Sequence, residues 1–458
     1  QKSEIKGELL EDVSIRDRWE EYQHQIERLS EYFKDSDEYK LQTPTIAGQT
    51  ATYKNDLSKL FFERVFRIAD DGGYVAQVLT GAIFNGQSSK DLRMQMLNEA
   101  ELDAIIEFEN NGIFKGIDNR YRFGIVAFEN GGYTKELNGI FDQRDTDILE
   151  NFEEKAVQIP RRVLENYSPE ARIFPVVTSQ EEVNVLNQVL TFPSLGADIE
   201  GAWKANPLPE ELNKTRDSDR FIHDEEKADY PIYTGENIHQ FHYDDTVVSE
   251  IEELTFWGIS EQRDPEKSAK RRVREKRFNK GEPKKPIYLA FDGGDSSKSQ
   301  KQFVNDLLEE NRGTSLSEND VLLDCTEYRI AYRDVTNSTN ERTLIATVLP
   351  KGAPVVHTVQ TLRPYEIKPT QEDLQNSPLH TAYKRVFSDR ELFCAVGLLN
   401  SIPFDFLMRT KVDTHVVKYK FTESQVPRLT EGDEWFEYIW RRAARLNCYG
   451  EAFAEMRE

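Results

Sequence analysis

Cysteine is nearly absent from this chain: Cys325, Cys394 and Cys448 are the only three in 458 residues. Thiols so few and so scattered build neither a disulfide framework nor a zinc site, and a reducing cytoplasm is the expected compartment. Long apolar runs are missing as well. The longest, residues 392–408, is broken by Asn400, Pro403 and Asp405 and falls short of the roughly 18 apolar residues of a membrane helix. No membrane partner and no secretory signal are expected. The seven histidines lie apart, without carboxylates at ligand spacing, so no metal is expected. No Ser/His/Asp or Cys/His nucleophile pattern is recognisable. Gly72-Gly73 precedes a strand-like run instead of opening a helix after one, so it reads as a turn and not as a nucleotide-cradling loop.

Positive charge is also short. Lys and Arg number 59 against 82 Asp and Glu, a net charge of −23. Phosphate backbones recruit Lys and Arg, so this balance taken alone argues against nucleic acid. Molar salt removes the conflict, because the Debye length falls to about 3 Å and distant like charges barely repel. The composition then fits a salt-loving organism, a haloarchaeon for instance; an ordinary acidic cytosolic protein is the alternative.

What the chain does have is core material and a regular rhythm. Its length suggests two or three domains of roughly 100–200 residues each. Residues 1–40 read as helical, with Ile15, Trp19, Tyr22, Ile26, Leu29 and Phe33 on one face. A second helix follows, with Leu57, Leu60, Phe61, Val65 and Ile68 as its buried stripe. A strand at 74–81, a Ser-capped helix at 88–100, a strand at 102–110 and a third strand, RFGIVAF, within 113–132 give the rhythm of an α/β sheet edge. Residues 136–190 read as a mostly helical bridge. From 191 to 458, short β-like runs such as RIAYRDV, RTLIATVL and APVVHTV alternate with loops and helices, as in an α+β domain.

Two clusters stand out against the acidic background. The stretch EQRDPEKSAKRRVREKRFNKGEPKK at 261–285 is strongly basic. Its Arg271, Arg272, Arg274, Lys276 and Arg277 are suited to phosphates; a solvated helix is the alternative. Arg333, Asn337, Ser338, Thr339, Asn340 and Arg342 combine phosphate-binding groups with groups that read base edges, Arg for guanine and Asn for adenine. Arg333 and Asp334 could instead form an internal ion pair. Lys411, Thr414, His415 and Lys418 follow a helix-like segment, and Lys411 and His415 would lie one turn apart if helical.

Four stretches in order resemble the large adenine-specific DNA methyltransferases of the Eco57I-like, type IIG and phage-defence kinds. NDLSKLFFERVFRIADDGGYVAQVLTGAIFNGQSSKDLRMQML at 55–97 is similar to the family's helix-strand-helix after the catalytic loop. YPIYTGENIHQF at 230–241 is similar to the line that opens its target-recognition region. YRIAYRDVTNSTNERTLIATVLPKGAPVVHT at 328–358 carries its R-D…E-R-T-L-I core. LFCAVGLLNSIPFDFLMRTKVDTHVVKYKFTESQVPRL at 392–429 looks like its closing segment.

The resemblance implies the later part of a doubly wound, Rossmann-like methyltransferase domain over 1–135, then a bridge, then a target-recognition domain over 191–458. It implies S-adenosylmethionine as cofactor, double-stranded DNA as partner, and work alongside other defence-system proteins. It adds Tyr233, His239, Gln240 and His242 as contacts at the recognition opening, where packing is the alternative. It also suggests Phe114 or Phe123 as a base-stacking ring, core packing being the alternative. The family's catalytic loop, Asn-Pro-Pro-aromatic, does not occur; Asn206-Pro207-Leu208-Pro209 lacks the adjacent prolines and the aromatic. The chain opens on Gln1, and both that loop and the cofactor's glycine-rich loop are expected upstream of it. A DNA-binding module without catalysis, or a degenerate remnant, is the alternative reading.

Overall fold

A computed structural model describes residues 2–46, 49–50, 55–208, 210–221, 230–244, 256–257, 269–292, 298–412 and 414–456. They form two compact units, Gln1–Leu190 and Thr191–Glu458.

The first unit is mixed α/β. Helix α1 (Val13–Asp35) is capped by Asp12, whose carboxylate accepts from Ser14 N. It is followed by α2 (Leu57–Ile68), capped by Asp56. Strand β1 (Tyr74–Thr80), helix α3 (Lys90–Glu99), β2 (Ala100–Glu109), β3 (Arg122–Asn130), β4 (Glu136–Gln143) and β5 (Val157–Pro160) come next. The five strands form one sheet in the order β1-β3-β2-β4-β5. Only β2 and β4 run parallel; the other three neighbours pair antiparallel. The class expected from sequence, α/β, is the one observed, with a mixed sheet.

Four local expectations are corrected. No residue of α1 is buried; its apolar face, expected to pack, is exposed at Tyr22, Ile26 and Leu29. In α2 the buried side is Leu60, Phe62 and Phe66, whereas Leu57, Phe61 and Ile68 face outward. This helix has apolar residues on two sides, and periodicity cannot choose between them. The sheet chooses: Phe66 stacks on Phe128 of β3 at 4.8 Å, and Phe62 meets the same ring edge-on. Ser89 stands before α3 without capping it; its hydroxyl donates to the Ala82 carbonyl instead. Residues 136–190, read as mostly helical, contribute β4 and β5 before helices α4 (Arg161–Tyr167) and α5 (Gln180–Val189). In β4 the buried run Gly139–Phe141 breaks the alternation of period two, and β5 has only four residues.

The second unit is built around a four-stranded antiparallel sheet. Its elements are β6 (Pro207–Leu208), the short hairpin strands β7 (Ile238–His239) and β8 (His242–Tyr243), helices α6 (Ala269–Asn279), α7 (Lys284–Phe291) and α8 (Gln300–Arg312), and strands β9 (Arg329–Arg333), β10 (Ala346–Leu349) and β11 (Val359–Leu362). The sheet order is β10-β9-β11-β6. Asn206-Pro207 therefore serves as an edge strand, where a proline without an N–H is tolerated. Helices α9 (Asp389–Leu399), α10 (Ile402–Lys411) and α11 (Phe436–Asn447) complete the unit. The apolar run of 392–408 is the α9–α10 pair, bent by 61°, and α9 is buried from Leu392 through Val396 and again at Leu398 and Leu399. Among the described residues no single helix is long and apolar enough to cross a membrane.

Candidate nucleic-acid interface

The loop at 334–343 leaves the end of β9 and is held from beneath by α10. Asp405, itself buried, accepts hydrogen bonds from the backbone N–H groups of Thr343 (2.8 Å) and Leu344 (2.9 Å). Arg409 donates to the carbonyls of Ser338 (2.6 Å) and Glu341 (3.0 Å). The loop also runs beside residues 414–416, with Thr336 N donating to Thr414 O and Val416 N donating to Asp334 O. Inside it, Asn337 accepts from the backbone of Thr339 at 2.9 Å, a local turn of the kind asparagine favours. The backbone is thus pinned, while Thr339 and Asn340 are exposed and Arg342 is half-exposed at the tip.

Behind the loop lies a polar network that connects the core to the surface. Tyr332, fully buried and stacked on Phe421 at 4.5 Å, donates to Gln360. The Gln360 amide donates to Asp334 and to the Val416 carbonyl. Asp334 in turn meets the half-exposed His415 at 2.7 Å. Asp334 is therefore paired with His415 and Gln360. Arg333 is aimed elsewhere: it donates to the Ile238 carbonyl at 2.6 Å and lies 3.4 Å from His239 Nδ1. Burial, then the Arg333 charge, then His242 hold the His239 imidazole below its usual range. Gln240 donates to the Asn400 carbonyl, and Asn400 grips both the N–H and the carbonyl of Ala346. Arg333, His239, Gln240, the 334–343 loop and His415 therefore belong to one connected region.

Other expected contacts lie elsewhere. Tyr233 is buried, edge-on to Tyr243 at 5.6 Å, and belongs to the core. Lys411 is buried too, donating to the Glu423 carbonyl; burial pushes its ammonium down to about 7 against the pull of Glu423. The one-turn spacing of Lys411 and His415 is corrected, because α10 ends at Lys411 and His415 pairs in extended conformation with Val335. Lys418 donates to the Asn206 side chain at 2.9 Å.

The basic stretch of 261–285 forms α6 and the start of α7; residues 261–268 lie outside the described residues. Four of its cations are ion-paired within the protein, whereas Lys280, Lys284 and Lys285 have no ion pair among the described residues. Arg271 pairs with Glu275 and Glu318, Arg272 with Asp217, and Lys276 with Glu210 at 2.6 Å. Burial would raise the Glu210 carboxyl, but hydrogen bonds from Lys276 and Asn213 hold it at about 2. Arg277 is 5% exposed and bridges Glu282 (2.5 Å) and Asp324 (3.0 Å), which Arg363 binds from the other side. Burial alone would raise both carboxyls, yet the two guanidiniums hold them below the usual carboxylate range. The reading of Arg277 as a phosphate contact is corrected on that ground: it is an interior cross-brace. Arg274 alone of the five has no ion pair among the described residues.

In the first unit Phe123 is buried and stacked on Phe108 at 5.3 Å, so it is part of the core. Phe114 is 43% exposed and rests edge-on against Phe123 at 4.8 Å. Its loop is fixed by Asn110, which accepts from Phe114 N and donates to the carbonyls of Phe114 and Ile117. Of the two rings, only Phe114 presents an accessible surface. Neither Gly73 nor Gly81 opens a cofactor cradle. Gly73 N closes a turn onto Asp70 O. At Gly81, the strand-to-helix junction after β1, an added Cβ would lie 2.7 Å from Arg122 Cβ, so protein fills that space.

Asp405 and Arg409, which hold the 334–343 loop, and Asn400, which holds Ala346, escape the sequence argument. Asn400 and Asp405 appear there only as interruptions of an apolar run. A buried helix broken by residues able to bond backbone was the available signal.

Residues 25–114 match the Eco57I restriction-modification methylase family. No curated protein matches the chain. Among solved structures, the chain is similar to the type IIG restriction endonuclease BpuSI at 12% identity, over 87% of this chain and 45% of that one, with a TM-score of 0.29. It is similar to the type IIL restriction-modification enzyme MmeI in complex with DNA at 10% identity, over 87% and 45%, with a TM-score of 0.40. It is also similar to a nuclease-deletion mutant of the type ISP restriction-modification enzyme LlaGI, in complex with a DNA substrate mimic, at 10% identity over 92% and 39%, with a TM-score of 0.36. The chain spans less than half the length of each of these.

Proposed function

We propose that this chain is the target-recognition part of a site-specific DNA methyltransferase. The whole protein would transfer the methyl group of S-adenosylmethionine to adenine N6 in double-stranded DNA, in restriction-modification. The carrying observation is the methylase family match at 25–114. The pinned loop at 334–343 supports it, because Asn340 and Arg342 stand at the tip of a backbone that α10 holds in place. Exposed Asn and Arg on a fixed backbone suit bidentate contacts to adenine and guanine edges. Thr339 and His415 flank them, and Arg333 sits behind, donating to the Ile238 carbonyl with no ion pair among the described residues. Residues 1–190 complete the methyltransferase sheet, with Phe114 as the ring available to an extruded base.

A non-catalytic DNA-binding specificity module is the second reading. It is favoured by one observation: no Asn-Pro-Pro-aromatic sequence occurs in the 458 residues. Both readings place DNA on the same loop. Selection from a random duplex pool tests that placement. The wild-type chain should enrich a defined sequence. Asn340→Ala and Arg342→Gln should each relax the preference at particular base pairs, at about 1–3 kcal/mol for a lost bidentate contact. Equal loss on all sequences would remove the loop from base reading. A labelled-methyl assay separates the two readings: the chain supplemented with the upstream part of its gene product should methylate the enriched duplex, and the module reading expects no transfer.

A further inference from the structure

The outer face of α11 carries arginines of a different kind from those of α6. The helix buries Phe436, Ala443 and Asn447 against α9, close enough that a Cβ added at Gly397 would lie 2.8 Å from Ile439 Cγ2. On the other side, Tyr438, Arg442 and Arg445 follow at spacings of four and three, one stripe of a helical surface, and Tyr449 stands just past the helix end at Asn447. All four are exposed. Trp435, 60% exposed, stands edge-on to Tyr438 at the N-terminal end. Arg441 pairs with Glu437, but Arg442 and Arg445 have no carboxylate within ion-pair distance among the described residues. The Arg442 guanidinium lies 3.3 Å from the centroid of the Tyr438 ring and donates to the Tyr438 carbonyl, contacts that leave its charge whole. In a protein with 82 acidic side chains, both guanidiniums stand outward with no acid partner among the described residues.

The stripe also continues into the region that holds the reading loop. The Tyr449 ring lies 4.8 Å from that of His242, and its hydroxyl donates to the Tyr243 carbonyl. His242 stacks toward His239 at 5.8 Å, and His239 adjoins Arg333 at 3.4 Å. Guanidiniums flanked by rings bind phosphates bidentately while the rings take flat surfaces. We propose that the Tyr438–Arg442–Arg445 stripe of α11, with Tyr449 just beyond the helix end, is a phosphate-contact surface that holds the DNA backbone beside the segment read by the 334–343 loop.

This inference rests on the DNA-binding reading given above, and its test separates the two. Fluorescence-anisotropy titration of a labelled duplex with the 458-residue chain is run at several salt concentrations, for wild type, Arg442→Gln/Arg445→Gln and Arg442→Glu/Arg445→Glu. Each lost phosphate contact should flatten the log–log salt slope by about one unit. The glutamine pair should weaken binding about tenfold or more at 0.1 M salt, the glutamate pair further, and both evenly across sequences. Thermal unfolding should be unchanged, since the side chains point outward. Wild type that fails to bind any duplex overturns the DNA reading and this inference with it. Wild type that binds, with variants of unaltered affinity and slope, overturns the inference alone. A wild-type dimer in sedimentation that the variants dissolve, with DNA binding intact, would assign the stripe to a second copy of the chain and overturn it too.

Discussion

Helices α6 and α11 are the two arginine-rich helices of the second unit, and they use the same side chain in opposite ways. In α6 four cations turn toward carboxylates on neighbouring segments, Arg274 being the exception: Asp217, Glu210, Glu282, Glu318 and Asp324 all lie within ion-pair distance. In α11 two of the three arginines past Trp440 meet no acid, and a tyrosine ring takes the place of one. Local charge density in a sequence therefore says little about which charges remain available. A dense basic run in an acidic chain is where internal neutralisation finds most partners, whereas a sparser run whose neighbours are aromatic keeps its charge.

That contrast can be broken at its strongest point. Arg277→Ala should remove one member of the buried Arg277–Glu282–Asp324–Arg363 set and cost about 3–5 kcal/mol, because a carboxylate is left buried without its partner. Urea unfolding of the second unit measures this, and a loss under about 1 kcal/mol would mean that the brace is not internal. Next in size is Asp405→Ala, which strips the acceptor from two buried backbone donors and should cost about 2–3 kcal/mol. The same variant should lose sequence preference in duplex selection while keeping non-specific binding.

Lys411 sharpens the comparison from another side, as a buried ammonium that donates to the Glu423 carbonyl. Its folded value near 7 lies below its ordinary 10.5, so between those values the unfolded chain binds more protons than the folded one. Stability should rise with pH across about 7 to 10.5 and carry the full burial penalty below 7. Lys411→Met should be more stable than wild type at pH 6, with the gain shrinking by pH 9.5; urea midpoints at the two pH values decide it. The smallest expected effect is on stability in α11, where Arg442→Gln and Arg445→Gln should each stay within about 0.5 kcal/mol of wild type.

The sequence carried the framework well and the partners poorly. Strands β1, β2 and β3 were legible because β-rich runs stood between glycine and asparagine turns. Helices α1 and α2 were legible as helices, but not by their buried side, since Leu57 and Phe61 compete with Phe62 and Phe66 for the core and only the sheet decides. Asn340 and Arg342 were legible as candidates because their types suit base edges, and the fold places both on the loop that Asp405 and Arg409 hold. Arg277 was misread because ion pairs with Glu282 and Asp324 join residues 5 and 47 positions apart, and no local pattern records such contacts. Tyr233 and Lys411 were misread for the same reason: exposure is set by the fold around a residue. The α11 stripe went unnoticed because two unpaired arginines among 59 basic residues make no peak in composition.

The most direct test is the salt slope of DNA binding for two matched variants, Arg271→Gln/Arg272→Gln/Lys276→Gln in α6 and Arg442→Gln/Arg445→Gln in α11. The α6 variant, which removes three basic residues, should keep the wild-type slope to within about half a unit, and the α11 variant, which removes two, should flatten it by about two units. A flattening by the α6 variant that equals or exceeds that of the α11 variant would contradict the account.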